Sequence, residues 1–334
     1  INHKSENPDI TVGTHALISK DLNFSKLGLV IIDEQQRFGV EQRAILRDKG
    51  DNPHFLTMTA TPIPRTVLLT VYGDLDVSYI NEMPKGRQII KTWLVPEIKR
   101  KAAYEWIKKQ LYHDPPRPIP DRDKNQVFII CPFIEESENM TTVKAAKAEF
   151  DRLQKTIFKK YKLALLHGKQ KGAEKDKILA DFHAQKYDIL VATPVVEVGI
   201  DIPTATVIVI EAAERFGLSQ LHQLRGRVGR GQKESYCLLF TESTSSSTIT
   251  RLKSLETSHN GAELAELDLK MRGAGDMYGT MQHGSSFLKI ASFTNFDLLN
   301  ATKKEAQALF PQLSSLPLLQ DKVKSTIIHK VSPD

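Results

Sequence analysis

Residues 27–39 read LGLVIIDEQQRFG. Leu29 to Ile32 form an unbroken apolar run, and it stops at two carboxylates, Asp33 and Glu34. The run is too short for a helix and lacks the alternation of a half-solvated strand. It therefore predicts a strand covered on both faces in a parallel sheet. A helical pattern follows at 35–49. Working outward, ITVGTHAL (10–17) and HFLTMTA (54–60) read as strands and 63–72 as a helix. IIKTWLV (89–95), VFIICPF (127–133), LALLHG (163–168), DILVAT (188–193), TVIVIE (206–211) and SYCLLF (235–240) repeat the strand signature. Helical stretches separate them at 97–112, 141–160, 172–184 and 217–226. This alternation predicts an α/β fold of parallel sheets with right-handed crossovers.

HDPPRPIPDRDKN (113–125) is rich in proline and charge and predicts an exposed loop. TESTSSSTIT (241–250) marks a junction, after which 246–334 reads as helical apart from RGAGDMYGTMQHG (272–284). There is no internal repeat of fixed period. The expected division is 1–87, 88–242, 243–295 and 296–334.

The 334 residues are 40% hydrophobic and 26% charged, the balance of a globular protein rather than a disordered one. No apolar run approaches the ~18 residues of a membrane span. The polar opening INHKSENPD lacks the apolar core of a signal peptide, so a cytoplasmic location is expected. Two cysteines, Cys131 and Cys237, sit in strand-like runs and predict buried thiols, not a disulfide framework or a zinc site. Lys and Arg number 46 against 40 Asp and Glu, a net of +6. Residues 152–177 alone hold nine basic and two acidic side chains, a local +7. Lys99, Arg100, Lys101, Lys108 and Lys109 form a second basic run. Either is a solvated helix face or a phosphate-contacting surface.

Two patterns carry chemistry. Asp33 and Glu34 follow a buried strand, where parallel sheets build ligand sites. One such carboxylate can hold Mg²⁺ while the other orients or deprotonates a water. TATPIPRT, from Thr59, leaves a second strand in the same way. In AERFGLSQLHQLRGRVGRG (213–231), Gln223, Arg225, Arg227 and Arg230 crowd together with glycines between them. Like charges repel at that spacing, so the pattern points to guanidiniums aimed at phosphate oxygens. Such arginines stabilise phosphoryl transfer or grip a nucleic-acid backbone.

DEQQRFG (33–39), TATPIPRT (59–66), ATPVVEVGIDIP (192–203) and QLHQLRGRVGRG (220–231) resemble motifs II, III, V and VI of superfamily 2 helicases, and GTHAL (13–17) resembles motif Ib. The wording is similar to that of the bacterial RecG family, ATP-dependent DNA translocases that remodel stalled replication forks. The resemblance implies two RecA-like lobes, the first incomplete, then a helical-hairpin translocation motif and a C-terminal helix. It implies that Asp33 holds the Mg²⁺ of ATP, that Glu34 activates water, and that Thr59 and Thr61 link nucleotide state to lobe closure. Gly199 and Asp201 would contact the ribose or couple it to DNA. Arg227 and Arg230, supported by Gln223, would reach the γ-phosphate. Thr14, His15, Thr193 and Glu197 fall on the DNA side. Arg251, Arg272 and Gln282 match the translocation motif, where the arginines would brace the hairpin. Met281, Ala212 and Pro194 depart from the residues usual in the family. The implied partners are branched and duplex DNA (forks and Holliday junctions) and single-stranded DNA-binding protein.

A motor of this kind needs G-x-x-x-x-G-K-[ST]. The one Gly-Lys pair, Gly168-Lys169, is followed by Gln170. With Ile1 as its first residue, the chain is expected to begin inside the first lobe, without the phosphate-binding loop and fork-splitting wedge, and to be inactive alone as an ATPase. The rival readings are the translocase region of a transcription-repair coupling factor and a non-catalytic DNA-binding module.

Overall fold

In the computed structural model, residues 8–19, 22–24, 26–60, 78, 80, 82, 86–111, 124–132, 139–194, 202–272 and 296–327 are described. The chain divides into two units, Ile1–Thr61 with Asn295–Asp334, and Pro62–Thr294.

In the first unit, β1 (Leu29–Ile32) and β2 (His54–Thr57) pair in parallel, with Ile32 opposite Thr57. Helix α1 (Val40–Arg47) makes the crossover, and Val30, Ile32 and Leu46 are the buried centre. ITVGTHAL is not a strand. His15–Ile18 is a 3₁₀ turn, and Ile10 and Val12 are 82% and 90% exposed. A β-branched run becomes a strand only beside a partner that takes its backbone hydrogen bonds, and among the described residues 10–17 have none. The unit also contains α8 (Phe296–Leu309) and α9 (Pro317–Ile327), joined by a 3₁₀ turn over Phe310–Ser315.

The second unit is built on a six-stranded sheet. Its strands are β3 (Lys91–Pro96), β4 (Gln126–Ile130), β5 (Leu163–Leu166), β6 (Ile189–Ala192), β7 (Ala205–Ile210) and β8 (Tyr236–Thr241). The order is β3-β8-β7-β4-β6-β5, parallel throughout. Every residue of β4, β6 and β7 is buried, which is why their sequences do not alternate. One face packs Val127, Ile129, Val207 and Val209 against α2 (Arg100–Leu111) and α3 (Asn139–Arg152). The other packs Phe128, Ile130, Ile208 and Ile210 against α4 (Gly172–His183), α5 (Leu218–Arg225), α6 (Ser246–Thr257) and α7 (Gly261–Arg272). Cys131 and Cys237 are buried thiols, and burial pushes Cys237 up to about 12.

The crossover from β4 leaves on the α2–α3 face, and that from β7 leaves on the α5 face. Between adjacent strands, such a reversal opens a crevice at the carboxyl edge.

The two units also share a local course. After β1 and after β7 comes a residue in the left-handed region, Glu34 at φ 52° and Ala212 at φ 45°. A 3₁₀ turn follows (Gln35–Arg37, Ala213–Arg215), then Phe, a glycine N-cap (Gly39, Gly217) and an eight-residue helix. The sequences are DEQQRFG and EAAERFG. Among the described residues no helix is long and apolar enough to cross a membrane.

Candidate functional site

At the carboxyl end of β1 the left-handed turn directs Asp33 and Glu34 out of the sheet. Asp33 is exposed, and its Oδ1 accepts the Glu34 N–H at 2.8 Å. The Gln35 N–H donates to Met58 O at 3.0 Å and the Met58 N–H to Ile32 O at 2.8 Å, which binds the two strand exits together beside Thr59. His15 stacks on Phe38 with ring centroids 4.4 Å apart and planes 7° apart, and its Nε2 lies 3.3 Å from Arg37 O. Thr14 caps the same 3₁₀ turn. The structure therefore brings Thr14, His15, Asp33, Glu34 and Thr59 to one edge of the first unit. Among the described residues no three His, Cys, Asp or Glu side chains cluster as a metal cage. An exposed strand-end carboxylate suits a Mg²⁺ whose other ligands are waters and phosphate oxygens.

In the second unit, the arginine segment divides by role. Arg225, on α5, is only 3% exposed. Its Nη1 donates to Leu255 O at 2.9 Å and Ser258 O at 3.0 Å, and its Nη2 lies 2.8 Å from His222 Nδ1. It joins α5 to the end of α6 and is not aimed at a phosphate. Burial, then the charge of Arg225, push His222 down to about 4, so its ring stays neutral and can accept that bond. Arg227 and Gln223 are half-buried and Arg230 is exposed. Arg230 Nε and Arg87 Nη2 both donate to Gly226 O at 3.3 Å. Arg87 is a member of this cluster that the sequence reading missed, because a lone arginine in KGRQ carries no signal. Gly229 is needed for structure as well. It has φ 73°, and a Cβ there would lie 2.9 Å from Ile90.

At the carboxyl ends of β5 and β6, His167 Nδ1 and Thr193 Oγ1 are buried and find no hydrogen-bond partner among the described residues. Burial and the nearby Lys147 charge push His167 below its ordinary value, and Lys175 and Lys169 act in the same direction. This is a basic edge with two unsatisfied polar atoms. His167 was not singled out by sequence, where it is one histidine after LALL. Pro194, beside Thr193, is buried. Arg251, on α6, donates to Phe216 O and Glu214 O at 2.8 Å each, and its Nη1 lies 3.9 Å from Asp268 of α7. It thus braces both hairpin helices against the segment entering α5. Arg272 is the last residue of α7. Thr61, Glu197, Gly199, Asp201, Met281 and Gln282, the helix expected at 63–72 and most of the loop at 113–125 lie outside the described residues.

The family model described as "Helicase conserved C-terminal domain" matches residues 107–232. The chain is 48% identical over 318 residues to the ATP-dependent DNA helicase RecG of Synechocystis sp., covering 94% of this chain and 37% of that protein. It is 45% identical over 310 residues to the RecG of Thermotoga maritima, covering 92% and 38%. A solved structure, that of RecG bound to a three-way DNA junction, superposes with TM-score 0.64 at 44% identity, covering 86% of this chain and 35% of that one. The chain thus spans less than half the length of the relatives it matches.

Proposed function

The chain belongs to the RecG family of DNA helicases, and from that premise we propose that it forms part of an ATP-driven motor acting on branched and duplex DNA, including stalled forks. The observation that carries this reading is the pair of strand-exit turns: one holds exposed Asp33 and half-buried Glu34 at the end of β1, the other leads to the glycine-spaced Arg227 and Arg230.

Bound ATP with Mg²⁺ would supply the scissile phosphoanhydride and a cation that neutralises its oxygens. Asp33 would hold that cation, directly or through water, and Glu34 would orient and deprotonate the attacking water. Arg227 and Arg230 carry permanent positive charge to the transferring phosphoryl group, with Gln223 supporting them. In this reading Thr59 and Thr61 link the nucleotide state to lobe closure, and Gly199 and Asp201 contact the ribose or couple it to DNA. The DNA backbone is met by Thr14, His15, Thr193 and Glu197. For Thr193, the support is a hydroxyl and a His167 Nδ1 that find no partner among the described residues, on an edge where Lys147, Lys169 and Lys175 outnumber Glu174. Arg251, Arg272 and Gln282 transmit lobe movement to the hairpin and its loop. No G-x-x-x-x-G-K-[ST] run occurs within these 334 residues, so the phosphate-binding loop that such a motor needs is not among them.

The test is steady-state ATPase activity with fork DNA. The 334-residue chain alone is expected to show no turnover. A longer protein that adds the phosphate-binding loop is expected to hydrolyse ATP in a DNA-stimulated manner, with Glu34→Gln lowering kcat by about 10²-fold or more. Turnover by the chain alone, abolished by Glu34→Gln, overturns the division of the site. A loop-containing protein without turnover overturns the ATPase reading.

A further inference from the structure

A buried charged cluster lies at the carboxyl end of β7. Glu211, the residue after β7, is 6% exposed, and its N–H donates to Ile130 O at 2.9 Å. Its Oε2 is paired with Arg100 Nη2 from the first turn of α2, and the Tyr104 hydroxyl donates to its Oε1 at 3.1 Å. Tyr104 in turn accepts Arg100 Nε at 3.2 Å and Arg152 Nη2, from the end of α3, at 3.1 Å. Arg152 is held by Glu149, and Arg100 Nη1 reaches Glu97 at 3.2 Å. The Arg100 guanidinium also lies 4.9 Å from the Phe240 ring centre. Glu211 is therefore tied to both helices of one face.

The next residue, Ala212, takes φ 45° and sends the chain to the opposite face, into α5 and the arginine loop. A left-handed alanine costs about 1–2 kcal/mol and persists only where its surroundings over-determine it. In the matching turn of the first unit, the corresponding acid is Asp33, which is exposed. One local design thus directs its acid to solvent in one unit and to an internal guanidinium in the other.

We propose that the Glu211–Arg100–Tyr104 cluster is a positioning device that fixes the Ala212 turn, and through it the aim of Arg227 and Arg230, without touching the nucleotide. The proposal rests on the phosphoryl-transfer reading given above. If the cluster only stabilises the fold, replacing both charges together should restore everything, because a buried pair removed as a pair leaves no unpaired charge. If it positions the turn, stability returns but the aim does not.

The experiment uses the loop-containing ATPase with fork DNA and compares Arg100→Met, Glu211→Gln, the double variant and Arg227→Ala. Each is followed by thermal melting and by kcat and KM for ATP. Both single variants are expected to melt lower. The double variant is expected to regain most of the melting temperature, while its kcat stays about ten- to a hundredfold down with KM for ATP within about twofold of the parent. Arg100→Lys, which keeps the charge but not the fork, should recover part of the kcat. A double variant with the parent's kcat overturns the positioning role while Arg227→Ala still abolishes turnover. If Arg227→Ala leaves kcat unchanged, the phosphoryl-transfer reading falls and takes this proposal with it.

Discussion

Arg225 and His222 show how far a side chain's role depends on what surrounds it. In sequence, Arg225 is one of four basic or amide groups crowded around glycines. In the fold it ties two backbone carbonyls and a neutral imidazole. Arg225→Ala would strand those acceptors, so a loss of about 3 kcal/mol in chemical denaturation is expected, and a loss under about 1 kcal/mol would contradict the role. His222 adds a pH dependence. The fold holds its pKa at about 4, below the ordinary 6.5, so it favours the neutral ring. That contribution is full above about 6.5 and is lost as the pH falls toward 4. Melting followed from pH 7 to pH 4 should fall more steeply in the parent than in His222→Gln. Identical slopes would show that the imidazole does not matter. The residue identities were legible beforehand; that Arg225 binds inside the fold was not, because the carbonyls that claim it lie 30 and 33 positions further along the chain.

The two strand exits carry the lesson for elements. DEQQRFG and EAAERFG share only R-F-G in register, and no fixed period announces them. Their common course emerges because each must turn from a parallel strand, half-exposed β1 or buried β7, through one left-handed residue into a glycine-capped helix. Asn tolerates that conformation better than Ala, so Ala212→Asn should raise stability by about 0.5–1 kcal/mol in urea denaturation. Gly229→Ala should do the reverse, by about 1 kcal/mol or more, because it meets both a positive φ and the Ile90 side chain. An unchanged denaturation midpoint in either variant would sink the corresponding argument. Burial on both faces was readable for β4, β6 and β7, whose apolar runs such as VIVI are continuous. β1, read the same way, leaves Leu29 52% and Ile31 56% exposed, because its two-stranded sheet buries only the Val30 and Ile32 face. ITVGTHAL misled because its composition is that of a strand while its backbone finds no neighbouring strand among the described residues.

At the scale of the whole chain, α6 and α7 fold as part of the second unit. Glu256 of α6 accepts the Leu94 N–H of edge strand β3 at 2.7 Å, Arg251 grips the segment entering α5, and Arg225 grips the far end of α6. The edge strand is thereby covered. Amide exchange should show α6 protected to the same extent as β3. Glu256→Ala should speed exchange at Leu94 and along α6 together; an effect confined to Leu94 would mean that the helix is not one cooperative body with the sheet. The sequence by itself determined the α/β class and the motif set of the RecG family, because the alternation of apolar runs with helical stretches and the motif spacing are written in local composition. Only the tertiary structure decided that Arg225 and Glu211 are spent internally while Asp33 stands exposed. Local sequence specifies the turn that carries a side chain, but its partners come from segments brought together by packing.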